Sequence, residues 1–138
     1  MRAKHLKQLL TILMLGNAAI FIFGGLQHLG MAIGSFREPV IIPASIVELF
    51  CALALIWGIV TVLTGSPKAW SAALIGNVIP IAGVTIGMVA LAAGRGPRTA
   101  SNDLYHRIML ALAAASLVVL FIPATRKALK WRPRARPV

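Results

Sequence analysis

A chain of 138 residues that is 59% hydrophobic and 12% charged, with a mean hydropathy of +0.86, is neither an ordinary soluble domain nor a disordered one. Its 14 Lys and Arg against 3 Asp and Glu give a formal charge of +11, but too little polar surface remains for a soluble nucleic-acid binder. The composition points to the lipid bilayer as partner. The single cysteine, Cys51, excludes an intramolecular disulfide framework.

Crossing a hydrocarbon layer of about 30 Å takes about 20 apolar helical residues. The first such stretch, 9–33, follows Arg2, Lys4 and Lys7. It is longer than the apolar core of a signal peptide, about 7–15 residues, and is read as a retained membrane helix. Asn17, Phe21, Gly24 and His28 share one face, and Gln27 lies about 100° round the helix from His28. A solvated turn at Arg37, Glu38 and Pro39 leads to the second stretch, 41–64. This holds Glu48, with Ser45 three residues before it and Cys51 three after.

The third stretch, 69–93, follows a short Gly/Pro turn and carries Pro80 in its middle. Pro80 removes the hydrogen bond to the Gly76 carbonyl, so a kink is expected there. Asn77, three residues earlier, is a candidate partner for a freed polar group. Gly76, Gly83, Gly87, Ala90 and Gly94 fall near one face. Small residues let backbones approach where lipid supplies no hydrophobic drive, which predicts that the third helix is the most tightly embraced. A homo-oligomer through such a face is the rival use. In the loop 94–104, GRGPRTASNDL, Ser101 or Asn102 can cap the next helix and Asp103 complements its dipole. The fourth stretch, 105–123, opens on Tyr105 and His106; Tyr105 and Trp70 suit interfacial aromatic positions. A basic tail, 124–138, offers Arg126, Lys127, Lys130 and Arg132 to anionic headgroups, each charge worth about 1 kcal/mol.

Connections of 7, 4 and 11 residues make sequential helices antiparallel. The predicted fold is therefore an all-α integral membrane protein, an up-down-up-down four-transmembrane-helix bundle forming one domain over 1–138. Placing both termini in the cytoplasm puts ten of the 14 basic residues on the inner side. That orientation suits a bacterial-type inner membrane.

A charge at membrane depth costs at least about 2.5–3.5 kcal/mol, so each one needs a reason. Glu48 is the only acidic residue within a predicted helix. His28 lies about 7 Å from the outer end of the first helix, and His106 begins the fourth. His28, Glu48 and His106 thus converge near the outer face and, with Ser45 and Asn77, form a candidate ligand pocket. Three readings follow. The group holds the bundle together; or it lines an outward-facing cavity for a lipid, a quinone or another apolar ligand; or two imidazoles and a carboxylate hold a metal, or the histidines a haem. No ligand spacing such as HxxxH supports the last. No GxGxxG, Walker loop, CxxC or HExxH is present. The expectation is an accessory factor or subunit of a membrane complex that is not an enzyme on its own. The alternatives are a redox protein coupled to quinone or haem, and a small dimeric transporter. Small multidrug exporters carry their essential carboxylate in the first helix, and here it lies in the second.

The stretch IIPASIVELFCALALIWGIVTVLTGSPKAWSAALIG, with its early Glu and its Gly/Pro turn before a small-residue helix, resembles DoxX-like membrane proteins. The preceding GGLQHLGMAIG is similar to that family's start, so the likeness spans roughly residues 20–90. NDLYHRIM lies outside it. The resemblance implies a small four-helix inner-membrane protein with His28 and Glu48 at the family's polar positions. In some members it also implies a link to quinone-coupled sulfur or redox metabolism.

Overall fold

The computed structural model describes residues 3–34 and 38–129. They form α1 (Ala3–His28), α2 (Ile42–Thr64), α3 (Ala69–Ala92), α4 (Ala100–Phe121) and a short α5 (Pro123–Leu129). The first four are each long and apolar enough to cross a membrane. Each packs against its neighbours in sequence, and α4 closes the ring against α1.

The helix ends follow from local chemistry. Gly30, at φ +91°, donates its N–H to the Gln27 carbonyl and closes α1 after His28, five residues short of the predicted end. Pro43 stands in the first turn of α2, where a missing N–H costs nothing. Gly65 ends that helix in the left-handed region, with Ser66 N–H reaching back to Thr61. α4 begins five residues before the predicted start. Its cap is Thr99, whose Oγ1 accepts from Asn102 N–H at 3.0 Å, and neither Ser101 nor Asn102 takes that role.

Leu10, Met14, Phe21, Leu55, Met109 and Leu120 fill the interior. Ile12, Leu53, Ile86 and Val118, one from each long helix, are all more than 60% exposed. Helices apolar on the outside as well as the inside are matched to lipid rather than water.

Glycine sets the approach of α2 and α3. A Cβ on Gly76 would stand 2.8 Å from the Ala54 carbonyl oxygen, and one on Gly58 3.1 Å from that of Ala72. The small-residue stripe does not, however, make α3 the most enclosed helix. Only 22% of its apolar stretch is buried, against 39% in α1 and α2. Small side chains let one neighbour come close but cover little surface, and Ile75, Val78, Ile86 and Val89 face outward. α3 runs unbroken through Pro80. Asn77 does not serve the Gly76 carbonyl; its Nδ2 donates to Ala73 O at 2.8 Å, one turn back.

The predicted tail is folded in its first part. α5 carries buried Thr125 and Leu129 and packs on α1. The Arg126 guanidinium stands 4.9 Å over the Trp70 ring, which meets Phe121 edge-on at 5.8 Å. Lys127 is exposed, and Lys130 and Arg132 lie outside the described residues.

Candidate functional site

The end of α1, the first turns of α2 and α4 and the last turns of α3 surround one cavity of about 270 Å³. His28, Glu48 and His106 line it, among apolar walls that include Phe21, Val84 and Met109. The three residues that the sequence brings to comparable depth therefore meet at a shared space.

His28 is the last residue of α1. The chain folds back over it, with Ile41 N–H donating to its carbonyl at 3.0 Å and its Nδ1 lying 3.1 Å from Pro39 O. A carbonyl only accepts, so Nδ1 carries a proton and Nε2 is left to face Glu48. The distance from Nε2 to Glu48 Oε1 is 3.8 Å, within ion-pair range but too long for a direct hydrogen bond. Both side chains are buried. With Nδ1 committed, one further proton has two places to sit, giving imidazolium and carboxylate or imidazole and carboxylic acid. Either form is neutral overall, which is how a carboxyl can stand at this depth.

Tyr105 completes the arrangement. With α4 beginning at Ala100, Tyr105 lies in the second turn and points into the bundle. Its hydroxyl donates to Ile20 O at 2.9 Å, crossing α1 at Gly24. A Cβ on Gly24 would overlap that hydroxyl and stand 2.9 Å from Glu48 Oε2. With the tyrosine proton given to Ile20, Glu48 Oε2 is buried without a donor. The sequence signal for this contact was a glycine one turn before His28 on the same face. His106 meets Tyr105 edge-on at 5.5 Å, and its Nε2 faces Gly87 of α3, where a Cβ would lie 3.9 Å away.

Ser45 and Asn77 do not line the cavity. Ser45 Oγ is buried and donates to Gly25 O at 2.8 Å, stapling α2 to α1. Asn77 gives its Nδ2 to its own helix, and its Oδ1 is buried without a donor. Cys51 sits against α3, its Sγ 4.0 Å from Ile79 O. Among the described residues, no group of three His, Cys, Asp or Glu is arranged to hold a metal ion. His28, Glu48 and His106 share a cavity without converging on a point.

One loop residue does more than the sequence indicates. Glu38 is not merely solvated: it accepts from Thr99 Oγ1 at 3.1 Å and from Ser101 Oγ at 2.5 Å, strapping the first loop to the start of α4. Pairing across 61 positions of sequence leaves no periodic trace. Arg95 lines the cavity, whereas Arg98 pairs with Asp103 at 2.8 Å. That hydrogen bond holds the exposed Arg98 guanidinium above its ordinary range. No family model matches this chain, and no curated protein or solved structure is similar to it at a level that shows kinship.

Proposed function

We propose that this chain is a small multi-pass protein of a bacterial-type inner membrane, its four long helices running up-down-up-down with both termini in the cytoplasm. Its outward-facing cavity receives an apolar ligand with a hydrogen-bonding head, a lipid or a quinone-like molecule. The protein acts as an accessory factor or subunit of a membrane complex. The DoxX-like resemblance of residues 20–90 agrees with that reading in helix number and in the positions of His28 and Glu48.

The observation that carries it is the buried His28–Glu48 pair beside an apolar cavity, with Nε2 and Oε1 3.8 Å apart. A ligand hydroxyl can donate to one member and accept from the other. The apolar walls take the rest of the molecule, as in small-molecule sites generally.

The test is Glu48→Gln. An uncharged isostere removes a cost of insertion, so abundance in the membrane should not fall. Loss of one net hydrogen bond, about 1 kcal/mol, should lower the retained ligand about fivefold. Mass spectrometry of organic extracts from the purified protein reads both quinones and neutral lipids. An unchanged ligand complement in the variant would overturn the proposal.

A further inference from the structure

Glu38 and Gln27 meet at a second cleft, on the other side of His28 and Asn102 from the cavity described above. It has a volume of about 290 Å³ and lies between α1 and α4. Its walls include Ile20, Phe23, Leu104 and Ile108, and its outer rim is open, with Leu104 60% and Ile108 43% exposed. At its head stand Gln27, Glu38 and Ser101.

The polar groups there are complementary to a particular ligand. Gln27 is 6% exposed and its amide nitrogen has no hydrogen-bond partner. An unpartnered N–H group at membrane depth requires an acceptor oxygen. Glu38 accepts from the Thr99 and Ser101 hydroxyls, and no Lys or Arg among the described residues stands within ion-pair distance of it. Its carboxylate has lone pairs left to accept from a further N–H group. The cleft thus presents a donor for an ester or phosphate oxygen, an anionic acceptor for a cation that carries N–H groups, and an apolar channel open toward lipid.

We infer that the α1–α4 cleft is a binding site for an aminophospholipid, with the ammonium head on Glu38, an ester or phosphate oxygen on Gln27, and one acyl chain along Phe23, Leu104 and Ile108. The volume is near the lower end for small-molecule sites, about 300 Å³, which suits the upper part of one chain with the rest of the lipid left in the bilayer. The head group supplies the discrimination. A choline head carries positive charge but no N–H to donate, and a glycerol head leaves the phosphate charge facing Glu38 uncompensated. Phosphatidylethanolamine satisfies both groups.

Native mass spectrometry of the detergent-purified protein, mixed with equal amounts of phosphatidylethanolamine, phosphatidylcholine and phosphatidylglycerol, tests this directly. The wild-type protein should retain phosphatidylethanolamine about tenfold over either competitor, as a charge-assisted hydrogen bond allows. Glu38→Gln keeps an acceptor for Thr99 and Ser101 but removes the charge, and should bring the three lipids to parity. Leu104→Trp fills the cleft from its exposed rim, where folding does not depend on it, and should abolish retention of the preferred lipid. Equal retention of all three by the wild-type protein would overturn the inference. So would a phosphatidylethanolamine preference that survives in either variant.

Discussion

At Gly24 the bundle has room for a hydrogen atom and nothing larger, because the Tyr105 hydroxyl crosses the helix there on its way to Ile20. Gly24→Ala should destabilise the protein by about 1–3 kcal/mol, the usual cost of overpacking. Tyr105→Phe alone should cost about 1 kcal/mol for the lost hydrogen bond. The double variant should cost less than the sum, since removing the hydroxyl makes space for the methyl group. Unfolding in a denaturing-detergent titration measures all three, and strict additivity would show that the two residues do not compete for one space. His28 and Glu48 were legible in the sequence because a titratable group in an apolar stretch demands a partner. Tyr105 was not, since a tyrosine at a helix end fits an interfacial belt equally well. Only the true start of α4 decides between the two. Ser45 was legible as a neighbour of Glu48, but nothing in the sequence says that its hydroxyl is already given to Gly25.

Among the elements, the contact of α2 with α3 rests on backbone meeting backbone, and the glycines of α3 are not equivalent in it. The GxxxG pattern singles out Gly83 and Gly87. At Gly83 a Cβ would press on the side chains of Cys51 and Val47, and at Gly87 it would make an ordinary contact with His106. At Gly76 it would meet the Ala54 carbonyl at 2.8 Å, where a side-chain rotation gives no relief. Gly76→Ala should therefore lower stability by about 1–3 kcal/mol, whereas Gly87→Ala should stay within about 0.5 kcal/mol. The same detergent titration separates them, and equal losses would contradict the assignment of the close contact to Gly76. The four long helices could be read from apolar length alone. Their junctions could not: Thr99, Ser101 and Asn102 are all good caps, and the choice of Thr99 depends on where its Oγ1 meets Asn102 N–H. α5 was hidden in a basic stretch whose composition gives no sign that Thr125 and Leu129 are buried.

For the whole molecule, the +11 charge becomes informative once it is divided between the two ends of the bundle. Lys68 in the α2–α3 turn and Arg126 and Lys127 in α5 belong to the end where Arg126 covers Trp70, and Lys4 and Lys7 open the helix on which α5 packs. At the end that holds His28, Arg95, Arg98 and Arg107 stand beside Glu38 and Asp103, and Arg98 is paired outright with Asp103. Positive residues near helix ends are retained on the cytoplasmic side. The proposed orientation therefore places both cavities toward the outer leaflet. It predicts that a membrane-impermeant thiol reagent applied to intact cells labels Pro97→Cys, in the exposed α3–α4 connection, and leaves Ser66→Cys unlabelled until the membrane is permeabilised. Cys51 is 1% exposed and contributes no background under native conditions. The reverse pattern would turn the molecule over and open the His28–Glu48 cavity to the cytoplasm. The candidate ligand would then be drawn from the inner leaflet, while the geometry of the pair, which is set by packing within the bundle and by the Pro39 carbonyl, would stand unchanged.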